Sequence, residues 1–457
     1  MAERESRRDV NDRREIFGWL MYDWANSAFY TTVVGALFGP YLTELARADV
    51  GDNGTIFNLV FLGPVTAKSL HAYTVAAAVF LQFFLLPILG AIADYTNLKK
   101  PLMAAFCYIA VAANCLMFFV TGDLYLLGSL LFIISNLCYG AAIVFYNAYL
   151  PEITTEDQRD KVSSRGFALG YLGGGLLLAL NLALVSLSES IGISKGMAVR
   201  ISLLSAGVWW GGFALITFSR LKTRGAPRKL PADKSLLTVG FSQLASTLRE
   251  LKRLRHTFRY LISYLLYNDG IQTVIGQASV FLAHELFIAR GQPEPQAFLL
   301  SIYLLVQFLA IGGSLLFERV ALWLGTKNAI LVSLAVWAGI VIYVYGLLQT
   351  TTQAWVLAGM IALVLGGSQA LSRSLFSRMI PKGRENSFFG LYEVSERGTS
   401  WIGPLVFGLV AARTNSYRHA VLSLIFFFVA GMVILFFTDT DRAVHEAGNV
   451  LPEEVGK

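Results

Sequence analysis

The sequence predicts an all-α integral membrane protein, with twelve transmembrane helices arranged as two six-helix bundles. Three observations lead there. The chain of 457 residues is 55% hydrophobic and only 15% charged, whereas a soluble domain carries about a quarter charged residues. Several apolar runs exceed the ~18 residues that mark a bilayer-spanning helix. These runs are too uniformly apolar for barrel strands, which alternate over about 10 residues. The bilayer satisfies no backbone polar groups, so helices remain.

Residues 1–15 are mixed in charge, lack the apolar core of a signal peptide, and read as a cytosolic tail. Spans are expected at 16–43, 71–93, 101–121, 124–149, 165–188 and 197–219, forming the first bundle, 16–219. Residues 220–256 break the pattern with "SRLKTRGAPRKLPADK" and "LRELKRLRH". This is a basic cytosolic linker, and 241–255 is expected to form an amphipathic helix on the membrane surface. Six further spans, at 257–286, 298–317, 328–348, 353–378, 388–412 and 417–438, make the second bundle, 257–438. Residues 439–457 form a second cytosolic tail. With both termini inside, about four Lys and Arg lie in the inner tails and loops for each one outside. The bias assigns the orientation. It also accounts for the net charge of +7 without a nucleic-acid partner.

Cys107, Cys115 and Cys138 all sit in apolar runs and read as buried thiols. No Cys/His cluster points to a metal and no phosphate-binding loop to a nucleotide, so no cofactor is expected. The polar residues inside the spans are more telling, because an ionisable group at membrane depth costs about 2.5–3.5 kcal/mol on insertion scales. Asp23, Asn26, Ser27 and Tyr30 stand at i, i+3, i+4 and i+7 of the first span. Asp269, Gln272, Thr273 and Gly276 repeat that spacing in the seventh, just after Asn268. Gln369, Ser372, Arg373 and Phe376 do so in the tenth, and Glu393, Glu396, Arg397 and Ser400 in the eleventh. The fourth span adds Asn136, Tyr139, Gly140, Ile143 and Asn147. Each set occupies one helix face, and such a stripe must face protein or water. At 1.5 Å per residue Asp269 lies about 18 Å into its span and Asp23 about 10 Å. The deeper acid is therefore the better candidate for a substrate or proton site, while Arg373, Glu393, Glu396 and Arg397 lie near inner ends. That cluster reads either as a gate of ion pairs or as part of a substrate site.

Between the second and third spans stands "GAIADYTNLKKP". It resembles the signature of the major facilitator superfamily, Gly-x-Leu-x-Asp-x-x-Gly-Arg-Lys. Gly90, Asp94, Lys99 and Lys100 fit, whereas Asn97 replaces Gly and Leu98 replaces Arg. "GSLLFERVALWLGTKNAI" is a weaker echo in the second half, with Glu318, Arg319 and Lys327. Asp94 and Glu318 are thus candidate interlocks between helices. A wider resemblance rests on "YDWANSAFYTTV", "YNAYLPEI", "SSRGFALGYLGGG", "YNDGIQTV" and "GGSQALSRSLFSRMIPKGRENSFFGLYEVSERGTSWIGPLVFG". Together these are similar to the autophagy-related vacuole effluxer permeases and their bacterial relatives.

The resemblance implies a secondary transporter working by alternating access. Spans one, four, seven and ten would line a central cavity. Its expected contacts are Asp23, Asn26, Tyr30, Asn147, Asn268, Asp269, Gln272, Gln369 and Arg373, with protons as a coupling ion. Fungal members of the family are implicated in amino-acid release from the vacuole, which implies a small zwitterionic substrate. The chain lacks the long insertions of fungal members, which favours a prokaryotic cytoplasmic membrane over a vacuolar one, and a monomer is expected. A lipid or amphipathic drug carrier, and a receptor or scaffold that no longer transports, stay open as alternatives. Nothing in the sequence suggests an enzyme.

Overall fold

The computed structural model describes residues 10–51, 54–59, 63–223, 235–293, 296–398 and 402–455. Within these, ten helices are long and apolar enough to cross a membrane. Ala67–Thr96, Lys99–Phe119, Tyr125–Ile153, Arg159–Ser186 and Lys195–Arg220 are spans 2 to 6. Arg255–Arg290, Gln296–Leu324, Thr326–Gly346, Thr351–Arg378 and Tyr417–Phe436 are spans 7 to 10 and 12. The first and eleventh passes are helical too, but each changes pitch. Span 1 runs Arg13–Ala28, a π-helical Phe29–Leu37, then Phe38–Val50. Span 11 runs Glu385–Glu393, a π-helical Val394–Gly398, then Ile402–Thr414. The chain therefore makes the twelve passes that the hydropathy pattern predicts.

Several edges differ from expectation. Span 1 is longer at both ends than 16–43. Span 8 continues as helix through Leu324 rather than ending at 317, so Glu318 and Arg319 stand inside it. The linker helix is Leu236–Arg253, about one turn earlier than 241–255. An antiparallel hairpin, Thr55–Leu59 with Gly63–Thr66, comes after span 1 and has no counterpart in the sequence reading. Its short alternating strands fall below a hydropathy window.

Spans 1 to 6 pack against one another, as do spans 7 to 12, and the halves meet where span 2 faces span 11 and span 5 faces span 8. The first and last described residues lie on one face, the side of the termini. Asn11 donates its backbone N–H to the Ile153 carbonyl at the end of span 4, and Asn449 donates to the Arg378 and Ile380 carbonyls at and just after the end of span 10. The linker helix lies on the same face. Its Glu250 meets Arg384 at 3.4 Å, while its Gly240 packs on Ile88 and Ile92 of span 2.

One departure from the superfamily signature gains a physical reason here. Asn97, in the place of Gly, takes φ 55°. This is the left-handed conformation that only Gly, Asn or Asp visit readily, so the turn that ends span 2 is preserved.

Close helix approach depends on small residues. A Cβ on Gly313 in span 8 would lie 2.5 Å from the Leu363 carbonyl oxygen and 2.6 Å from that of Ala362 in span 10. Its neighbour Gly312 meets nothing within 4 Å. Gly313→Val is expected to cost about 1–3 kcal/mol through overpacking, read as a lower thermal-denaturation midpoint of the purified protein. Gly312→Val is expected to leave the midpoint unchanged, and equal effects from the two would count against this packing.

Candidate functional site

A cavity of about 350 Å³ lies between the halves. Its upper wall is mostly apolar and aromatic, from Val75, Ile302 and Leu357 to Tyr139, Tyr171 and Tyr303. Leu299 and Ala354 stand on the first turns of spans 8 and 10, so the cavity reaches toward the face opposite the termini. Tyr30, on the π segment of span 1, is 40% exposed to it. Its floor is charged: Asp23, Arg373, Glu396 and Arg397 line it, with Asn26, Asn147, Gln272 and Gln369 beside them. Three buried amide atoms of lining residues have no hydrogen-bond partner among the described residues. They are Asn26 Nδ2, Gln82 Oε1 and Gln307 Oε1.

Arg373 dominates the floor. It leaves span 10 and enters the first half. Its Nε donates to Ser163 Oγ at 2.9 Å, its Nη1 to Asn147 Oδ1 at 3.3 Å, and its Nη2 to the Ser163 carbonyl at 3.0 Å and to Asp23 Oδ2 at 3.3 Å. The guanidinium also lies 4.8 Å from the Trp19 ring, 5.6 Å from Tyr146 and 4.4 Å from Phe167. A second crossing lies beside it. Asn147 donates its Nδ2 to Glu393 Oε1 at 2.8 Å, and Glu393 accepts from Arg397 Nε at 3.0 Å. Arg397 rests over the Tyr139 ring at 4.8 Å.

Below this floor, on the side of the termini, the halves are stitched together. Asp94 at the end of span 2 accepts from the backbone N–H of Asn386 at 3.0 Å and of Ser387 at 2.7 Å, and from both of their side chains. Those N–H groups belong to the first turn of Glu385–Glu393, where helix donors lack internal partners and the dipole favours an anion. Asp160 at the start of span 5 meets Arg378 at the end of span 10 at 2.8 Å and accepts from Thr326 Oγ1 at the start of span 9 at 2.6 Å. Arg159 donates to the Ser377 carbonyl at 3.1 Å, and Ser163 to that of Ala370 at 2.7 Å. Glu318 lies 4.0 Å from Arg165 of the first half. The cavity is thus closed toward the termini.

The expected site residues divide accordingly. Asp23, Asn26, Tyr30, Asn147, Gln272, Gln369 and Arg373 share the cavity, and Glu396 and Arg397 join them. Asp94, Glu318 and Glu393 bridge the halves. Asn268 and Asp269 stand apart and do not line the cavity. Both are buried, and Asp269 Oδ2 accepts from the Gly403 N–H at 2.7 Å, facing span 11. Ser400 lies outside the described residues. The sequence reading did not single out Arg159, Asp160, Thr326, Arg378, Asn386 or Ser387. The signal available was a run of charges, "EDQRDK", at the start of an apolar helix.

Each hydrogen bond to a charged group contributes about 1.5–3 kcal/mol. Replacing Asp94 with Ala is therefore expected to raise amide hydrogen exchange at Asn386 and Ser387 by at least about tenfold. Unchanged protection at those amides would mean that Asp94 does not hold the two halves together.

Comparison with known proteins places this geometry. The family model described as "Vacuole effluxer Atg22 like" matches residues 11–448. The chain is 32% identical to the uncharacterized MFS-type transporter YxiO of Bacillus subtilis (strain 168), over 95% of this chain and 97% of that protein. It is 26% identical to autophagy-related protein 22-2 of Penicillium rubens, over 97% of this chain and 91% of that one. Among solved structures it resembles the major facilitator transporter FucP in its outward conformation, with TM-score 0.66 and 12% identity over 93% of this chain and 98% of that one. A bacterial homologue of the iron transporter ferroportin in an outward-facing state gives 0.63, with 15% identity over 93% and 98%. The chain is a multi-pass membrane permease rather than an enzyme, and it belongs to the Atg22-like vacuole effluxer family within the major facilitator fold.

Proposed function

We propose that this permease is a secondary transporter that moves a small zwitterionic solute of the amino-acid kind by alternating access, coupled to protons. The observation that carries the reading is the cavity between the halves, about 350 Å³, whose floor presents both signs of charge beneath an apolar wall. That volume lies in the ~300–1,000 Å³ range of small-molecule sites. A floor bearing acids and guanidiniums suits a solute with an ammonium and a carboxylate, and suits a lipid tail poorly. Arg373 already spends most of its five donors on protein partners. Arg397, which among the described residues donates to Glu393 and lies over the Tyr139 ring, is the better partner for the solute's carboxylate. Asp23 serves the ammonium.

In this reading 16–219 and 257–438 rock against each other as a monomer. The linker 220–256 and the tails lie in the cytosol of a prokaryotic cytoplasmic membrane. Asp94, Glu318 and Glu393 form interlocks that release when the cavity opens inward. Asn268 and Asp269 support the second half and leave direct contact to Gln272.

Counterflow of labelled amino acids in proteoliposomes tests transport directly. Arg397→Gln is expected to raise KM at least about tenfold for a substrate whose carboxylate it holds. With protons as the coupling ion, gradient-driven uptake should rise as the outside is acidified from about pH 8 to 5. That rise should vanish in Asp23→Asn or in Asp269→Asn, whichever carries the proton. A rise that persists in both variants rejects proton coupling through these acids, and counterflow of no amino acid rejects the substrate class.

A further inference from the structure

The place that Arg373 occupies in the first half is built like a receptor for a cation. Asp23 supplies a carboxylate, Asn147 and Ser163 supply oxygen acceptors, and Trp19, Tyr146 and Phe167 close around the guanidinium with ring centroids 4.4–5.6 Å from its carbon. All six residues come from spans 1, 4 and 5. The occupant comes from span 10. A ring face attracts a cation through its quadrupole, and a desolvated carboxylate left alone is costly. The pocket therefore does not favour standing empty when the halves part.

The pocket is accessible to a solute, because Asp23, Asn147, Phe167 and Arg373 all line the cavity and the pocket opens onto its floor.

We propose that the pocket formed by Trp19, Asp23, Tyr146, Asn147, Ser163 and Phe167 binds an organic cation, a primary ammonium or a guanidinium, and that this cation and the Arg373 side chain occupy it in turn. Arg373 acts as a tethered competitor. While it fills the pocket, the halves stay joined on the side of the termini. A solute cation that takes its place removes the cross-half bonds of Arg373 and favours opening on that side. The proposal rests on the carrier reading for its consequence, since only a rocking permease converts the exchange into movement. The binding step itself does not depend on transport.

The experiment begins with Arg373→Ala, which vacates the pocket. Purified in detergent, this variant is titrated with ethylguanidinium, ethylammonium and the neutral N-ethylurea while thermal stability is followed. A saturable rise in the denaturation midpoint is expected with the two cations and not with the urea. It should be lost when Asp23→Asn is added, and should need about tenfold more cation when Trp19→Leu is added.

A second measurement serves if Arg373→Ala does not fold. Ser374 is buried, one turn from the Ala370 and Ser377 carbonyls that meet the first half. Maleimide labelling of Ser374→Cys in an otherwise intact chain is expected to speed up several-fold with ethylguanidinium. It should not respond to N-ethylurea, nor to the cation once Asp23→Asn is added. Equal responses to cation and urea, or no saturable response in either measurement, overturn the cation site. Loss of the cation response with amino-acid counterflow intact would leave the carrier reading standing. A cation response without counterflow of any amino acid would leave the site and overturn that reading.

Discussion

A guanidinium buried across the boundary between two helical bundles sets the terms for this molecule. An ion moved into a low-dielectric interior loses several kcal/mol of hydration even after relaxation. Arg373 bears that cost only because the opposing half offers it a carboxylate, two side-chain oxygens, a backbone carbonyl and three ring faces. None of these belongs to its own half. The halves must therefore meet on the side where Arg373 emerges, and any space between them opens at the other end. The shape of the cavity follows from where one side chain finds its partners.

The remaining contacts reinforce this arrangement at two further places. Where span 2 meets span 11, the Asp94 carboxylate takes up backbone donors that a helix start leaves free. At the start of span 5, Asp160 gathers Thr326 of span 9 and Arg378 of span 10. Both are carboxylates at helix ends near the aqueous face, so water can replace every bond when the halves separate. An apolar seam of the same area would offer no such substitute. Contacts of this kind hold firmly in one state and cost little to exchange, as a two-state element requires.

Much of this was legible in the sequence. Twelve passes and the polar stripes of spans 1, 4, 10 and 11 follow from hydropathy and helical periodicity, because the bilayer enforces both. Asp23, Asn147 and Arg373 share a cavity because a stripe of polar residues has nowhere else to face. The interlocks at Asp160 and Arg378 were hidden. Residues at span ends are reached by water in many arrangements, so their type carries no instruction about a partner. Asp269 shows the limit of reasoning from depth. Its distance along span 7 is as expected, yet it points at span 11. A rise per residue gives height and not azimuth. The pitch change that turns part of span 11 toward the cavity leaves no periodic trace.

That pitch change also accounts for the pair in span 7. A π turn inserts a residue, rotates the helix beyond it by about a third of a turn, and leaves backbone groups without their usual partners. In span 11 the change begins directly after Glu393, which is wholly buried and bonded to Asn147. Glu396 and Arg397, on the π segment itself, reach the cavity. Asn268 donates its Nδ2 to the Glu396 carbonyl at 3.0 Å, and Asp269 accepts the Gly403 N–H at 2.7 Å. One amide thus serves a carbonyl of the π segment, and one carboxylate serves an N–H of the helix Ile402–Thr414. An irregular backbone at membrane depth is tolerable only when protein or water satisfies it. Span 7 supplies that satisfaction, and in doing so sets the angle at which Glu396 and Arg397 face the cavity.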